Sequence, residues 1–166
     1  MKLLITYLSI IITLGLSQDT RSTIFNTGTP ETDDGYLISG DISIADRFSI
    51  SSDYAMEAFK VTMTMESESA TMIISIHEDL NNTPGAILGS WDLPLTSSDI
   101  REYLLYTFQD CILFDSGEYY WISVKAADSE STAKWIYSPG DFYTYATSAD
   151  QQLNWEPAQG NAGSTK

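Results

Sequence analysis

The feature that most restricts this chain is a hydrophobic pattern of period two, repeated in short runs that are broken by clusters of Gly, Pro, Asn, Asp and Ser. Successive side chains of an extended strand point to opposite faces, so alternation of this kind builds half-buried strands. Phe59, Val61, Met63 and Met65 alternate with Ala58, Lys60, Thr62 and Thr64, and Glu66-Ser67-Glu68-Ser69 then makes a polar turn. Met72, Ile74 and Ile76 carry the pattern into the next run. Further strands are expected over 46–50, 86–91, 102–108, 111–114, 118–126, 134–138, 142–147 and 152–155. The one helical signal is at 97–102, where a serine N-cap would start a single turn. Many short strands at this spacing imply an all-β domain, a two-sheet antiparallel β-sandwich with jelly-roll-like topology. The expected core is Phe48, Phe59, Val61, Met63, Ile74, Ile76, Leu105, Ile112, Tyr120, Ile122 and Val124.

The first residues carry a different signal. Met1 and Lys2 precede a largely apolar run from Leu3 to Leu16, and Gly15 and Ser17 put small residues where a signal peptidase would cut before Gln18. A run of about 14 residues falls short of the roughly 20 that span a bilayer. Residues 1–17 therefore read as a signal peptide, 18–158 as the β-sandwich domain and 159–166 as a flexible tail, in a secreted or extracellular-surface protein. The single cysteine, Cys111, has no intramolecular partner in an oxidising compartment. Its apolar neighbours suggest a buried, inert thiol, with intermolecular pairing as the alternative.

Composition narrows the partners. A chain of 166 residues is long enough for one domain with its own core. Its net charge of −15 leaves little basic surface to neutralise phosphates, which argues against nucleic acid and anionic membranes.

Three stretches carry a resemblance. Ile44-Ala45-Asp46-Arg47-Phe48 opens one strand, and the run from Ile76 to Leu88, through His77-Glu78-Asp79-Leu80-Asn81-Asn82-Thr83-Pro84-Gly85, is a strand, a polar turn and the start of another. Leu113-Phe114-Asp115-Ser116-Gly117-Glu118-Tyr119-Tyr120-Trp121-Ile122 turns into an aromatic strand, with Trp135 and Trp155 downstream. This order is similar to the jelly-roll-like domains of bacterial secreted and surface proteins of the choice-of-anchor type. The resemblance covers roughly 23–155 and implies an extracellular role, but assigns no ligand to particular residues. Such domains often precede a sorting signal, whereas 160–166 is small and polar.

Catalytic chemistry is thinly supplied. His77 is the only imidazole, so any histidine-based dyad or metal cluster must use it, and it reads as a partly exposed strand-end residue. Scattered acids could meet in pairs suited to glycoside hydrolysis, but with 23 acids such pairs carry little meaning, and no enzyme activity is expected. Calcium is the candidate ion, because oxygen ligands cluster in Glu31-Thr32-Asp33-Asp34-Gly35 and Glu78-Asp79-Leu80-Asn81-Asn82. Glu31, Asp33, Asp34 and Asp79 are its expected ligands, although the same residues are ordinary turn formers.

Aromatics offer a second possibility. Along 118–126, Tyr120, Ile122, Val124 and Ala126 share one face, while Tyr119, Trp121, Ser123 and Lys125 share the other, more polar face. If the next strand pairs so that Val124 opposes Ile136, Trp135 and Tyr137 join that outer face. A slip of one residue turns both inward and sets Lys125 against Lys134. Like charges directly opposite are unfavourable, which favours the first register. Tyr119, Trp121, Trp135, Tyr137 and Lys125 would then form a ligand-binding platform for a polysaccharide. The expected function is a secreted, non-catalytic recognition module that binds glycan. The alternative is a structural subunit of a surface layer, fibre or extracellular matrix whose partners are other copies of itself.

Overall fold

The computed structural model describes residues 22–107, 111–138 and 143–166, which form twelve strands and no helix. In chain order these are β1 (Gly35–Ser39), β2 (Ser43–Ser49), β3 (Tyr54–Met56), β4 (Ala58–Met65), β5 (Ala70–Asp79) and β6 (Pro84–Leu95). Then follow β7 (Arg101–Tyr106), β8 (Ile112–Phe114), β9 (Tyr119–Ala126), β10 (Thr132–Ile136), β11 (Tyr143–Ser148) and β12 (Glu156–Gly160). One antiparallel sheet has four strands in the order β1-β10-β4-β7, a second has six in the order β12-β11-β2-β9-β5-β6, and β3 pairs with β8. The expected signal peptide, residues 1–17, lies outside the described residues, as do Phe108 and Phe142 at the ends of two expected strands.

The two larger sheets share one core. Phe59, Val61 and Met63 of β4 and Leu105 of β7 meet Phe48 of β2, Ile74 and Ile76 of β5, and Tyr120, Ile122 and Val124 of β9. Every residue of the expected core is buried. Alternation thus identifies the inward face correctly, because removing apolar surface from water is the strongest force acting on which way a strand faces. The result is a sandwich-like, all-β architecture.

Several expectations are corrected. Residues 97–102 form no helix; the Ser97 hydroxyl instead accepts from the Asp99 amide at 3.0 Å, the local turn chemistry that competes with helix formation. The last strand is β12, beyond 152–155, which is a turn and bends. Cys111 is exposed. Because Ile112 and Phe114 point into the core, Cys111 lies on the opposite parity.

The largest correction concerns β9 and β10, which do not pair. β9 lies between β2 and β5, whereas β10 lies between β1 and β4 in the other sheet. The connection between them is held by Asp128, which accepts from the amides of Glu130 and Ser131, and by the Ala127 amide donating to the Thr71 carbonyl at 2.9 Å. A short polar turn has the same composition whether it joins neighbours or carries the chain across a sandwich. Neither expected hairpin register exists.

Residues 159–166, expected as a flexible tail, are built into the fold. Ala162, Ser164 and Thr165 are buried, and the segment runs beside β4, where Lys60 and Lys166 exchange backbone bonds of 2.6 and 3.1 Å. Gly163 lies flat against Trp135, so a Cβ there would meet the indole at 2.1 Å. Small side chains permit this close approach; they do not signal looseness.

Candidate functional site

On β9, Tyr119, Trp121, Ser123 and Lys125 do face away from the common core, as the alternation requires, but the chain covers much of that face. Trp121 is 0% exposed. It packs with Ala45 of β2 and Ala146 of β11, and Trp155 lies against the same cluster. Its indole N–H donates to Asp79 Oδ1 at 2.7 Å. The turn between β11 and β12 is itself ordered by Asp150, which accepts from the side-chain amide and then the backbone amide of Asn154, and from the Ser148 hydroxyl. Those hydrogen bonds hold the Asp150 carboxyl below its ordinary range.

Next to Trp121, the edge of this face stays open. Tyr119 is 47% exposed. The Arg47 guanidinium lies over its ring at 3.6 Å from the centroid. Arg47 also faces Asp79 at 3.2 Å and donates to Asn82 Oδ1. Asp79 Oδ2 accepts from the Asn82 amide at 3.1 Å, which ties the turn after β5 to the same group. Asn82 is exposed and has a positive φ of 68°, a conformation that asparagine tolerates better than most residues. A ring, a guanidinium, a carboxylate and an amide are therefore held in one arrangement by mutual contacts. The cation over the aromatic ring is Arg47; Lys125 lies opposite Ile73 in the pairing of β9 with β5.

His77 is buried, contrary to the exposed position expected for it. Its Nδ1 lies 3.1 Å from the Gly85 carbonyl, which requires the proton on Nδ1, so Nε2 accepts from the Ser123 hydroxyl at 2.8 Å. Ser123 in turn accepts from the Gln152 side-chain amide at 3.0 Å. Burial pushes the imidazole pKa down, so the neutral ring is favoured. A nucleophile and base stand at this separation in hydrolases, but Ser123 is fully buried and its hydroxyl is engaged by both neighbours.

The other expected ligand residues do not join this site. Trp135 is 0% exposed, faces the common core and donates to the Ser164 carbonyl at 3.2 Å. Tyr137 belongs to an aromatic cluster, with its ring edge-on to Tyr36 at 4.8 Å. The continuous platform of Tyr119, Trp121, Trp135 and Tyr137 is therefore divided between two sheets and largely covered. Glu31, Asp33 and Asp34 are exposed in the loop before β1, while Asp79 is engaged by Trp121, Arg47 and Asn82. Among the described residues no three His, Cys, Asp or Glu side chains are grouped as metal ligands.

Sequence reading missed Asp46 and Arg47 as a pair with opposite surroundings. Asp46 shares the inward parity of Ile44 and Phe48 and is 1% exposed. Its Oδ2 accepts from the Gly163 amide, while Oδ1 has no hydrogen-bond partner among the described residues. Desolvation raises its pKa well above the ordinary carboxylate value, with the Gly163 bond opposing. Burial and this carboxyl also push the Tyr36 phenol up. The spacing from Ile44 to Phe48 contained the signal for an inward aspartate.

No protein-family model, curated protein or solved structure matches this chain. The class that fold and geometry define is an all-β, sandwich-like protein with an open aromatic and polar site at one end of its six-stranded sheet.

Proposed function

We propose that this chain is a secreted, non-catalytic extracellular recognition module of jelly-roll architecture that binds glycan at the site formed by Tyr119, Arg47, Asp79 and Asn82. The strand order supports the architecture. Without the short β3 and β8 and the outer β11 and β12, the sheets read β1-β10-β4-β7 and β2-β9-β5-β6. Two such four-stranded sheets are what a long hairpin makes when it is rolled up into eight strands, the jelly roll of several lectin-like domains. Fold alone does not carry function, so the ligand is argued from the site.

The observation that carries the reading is the Arg47 clamp. Sugars present apolar C–H faces to a ring and hydroxyl groups to charged and amide side chains, and this site offers both. The clamp sets the Tyr119 ring and the Asn82 turn before a ligand arrives, which reduces the ordering cost of binding. The resemblance of 44–48, 76–88 and 113–122 to choice-of-anchor domains agrees with an extracellular bacterial setting. A polysaccharide panel with purified protein tests the reading: at least one polysaccharide should be retained, and Asn82→Ala should weaken its binding.

The competing role is self-assembly. Its specific support is β6, a twelve-residue strand at the sheet edge with Ile87 exposed. Pro84 and Pro94 lie in that strand, however, and its pairing with β5 shifts register near His77. Both features discourage another strand from pairing there, which favours recognition over assembly.

A further inference from the structure

The face of the six-stranded sheet that points away from the common core is polar where it is buried. Ser43 of β2, Ser75 and His77 of β5, Ser123 of β9 and Ser148 of β11 lie on this face, and all are buried. Pairing sets them side by side: His77 is opposite Trp121, Ser75 opposite Ser123 and Ser43 opposite Ser148. The Ser43 hydroxyl has no hydrogen-bond partner among the described residues, although Ser43 is fully buried. Burying a hydroxyl without a partner is unfavourable, and a face closed only for packing would carry apolar side chains instead. A polar ligand would give that hydroxyl a partner.

Residues 150–155, between β11 and β12, meet the sheet at this face. The Gln151 backbone and side-chain amides donate to Asp41 at 3.1 and 2.9 Å, and the Gln152 side chain donates to the Ser123 hydroxyl at 3.0 Å. The Trp155 ring packs against the Trp121 cluster and lies edge-on to His77 at 6.4 Å. Asp150 fixes the shape of the segment from within, so it can lift as a unit. Gln151 and Gln152 both have positive φ, 61° and 75°, a conformation that favours glycine and asparagine, so the closed position holds two strained residues in succession. Trp121 follows the open Tyr119 by two residues on the same face of β9, about 7 Å along the strand. Lifting the segment would therefore add a second ring to the open site, with Ser43, His77 and Ser123 near it. Trp155 and Gln152 now hold the places of a sugar ring and of a hydroxyl partner.

We propose that residues 150–155 are a displaceable cover and that the glycan site continues beneath it along β9, so that one chain of neutral sugars engages Tyr119 and Trp121 together. This rests on the glycan reading of the Tyr119 site. A neutral chain is specified because the net charge of −15 repels acidic ones.

The probes are cellohexaose, xylohexaose and mannohexaose, with the disaccharides of the same linkages, titrated into the full chain by calorimetry. At least one hexaose should bind about tenfold more tightly than its disaccharide, which Tyr119 accommodates alone. A pinned form carries Asp41→Cys and Gln151→Cys, positions whose backbones already share a hydrogen bond, with Cys111→Ser to remove the exposed thiol. Oxidised, it should bind hexaose no better than disaccharide, and reduction should restore the difference. Hydrogen exchange at the indole N–H groups follows the cover without sugar: pinning should slow Trp121 about tenfold and leave Trp135 unchanged. Gln152→Ala removes the bond to Ser123 and should speed exchange at Trp121, so it serves if the pinned form does not fold. A hexaose bound equally by oxidised and reduced protein, or Trp121 exchange unaffected by pinning and by Gln152→Ala, would overturn the cover and leave recognition at Tyr119 intact. No binding of any probe would overturn this proposal together with the reading it rests on.

Discussion

At the scale of single residues, Asp46 and His77 give the fold opposite responses to pH. Asp46 has its pKa raised by burial, so the folded state holds that proton more tightly than the unfolded chain does. Its contribution is fully favourable below the ordinary aspartate value, about 4, and is lost as pH rises toward the raised folded value. Asp46→Asn keeps an oxygen for the Gly163 amide and removes the buried charge. We predict a higher melting temperature than wild type at pH 7, with the difference shrinking toward pH 4, measurable by calorimetry. His77 has its pKa lowered by burial, so its contribution is present above the ordinary histidine value, about 6.5, and is lost on acidification below it. In the Asp46→Asn background, stability should therefore fall between pH 7 and pH 5, and His77→Gln should flatten that fall. The inward parity of Asp46 could be read from Ile44 and Phe48. Its partner could not, because Gly163 is 117 residues away in sequence.

At the scale of elements, β9 shows what alternation conveys. Ile122 and Val124 face the core and Tyr119 faces out, as the two-residue period demands. Ile122→Ala should cost about 2–5 kcal/mol in a denaturant melt, because it leaves a cavity where both sheets meet. A cost under about 0.5 kcal/mol would match an exposed position and contradict the packing. Alternation gives the face of a strand but not its neighbours. The pairing of β10 with β1 and β4 places Trp135 inside, and no local feature of 127–131 distinguishes a crossing from a hairpin. Nor does a period of two reveal a covering layer. Trp121 points away from the common core, but it packs with Ala45 and Ala146 of its own sheet, and Trp155, from later in the chain, lies against that cluster.

For the whole molecule, the C-terminal residues join the parts. Six backbone hydrogen bonds link 162–166 to Thr27, Lys60, Thr62, Ile136 and Ser138. The Trp135 indole, Asp46 and the Tyr36 hydroxyl also bond to the backbone of 161–164. At about 1 kcal/mol for each bond, before any cost of leaving buried groups unpaired, their sum rivals the total stability of a typical domain. A chain ending at Gly160 should therefore melt far below wild type or lose its cooperative transition in calorimetry. Small, polar composition made this segment look loose because its stability comes from distant partners. On the proposed reading, glycan recognition depends on the open site at Tyr119. The most direct test compares wild type and Tyr119→Ala for affinity toward a retained polysaccharide, with melting temperature measured on the same samples. If Tyr119 carries the binding, affinity should fall at least tenfold with little change in melting temperature. Unchanged affinity, or no polysaccharide bound by wild type while concentration-dependent filaments form, would contradict it.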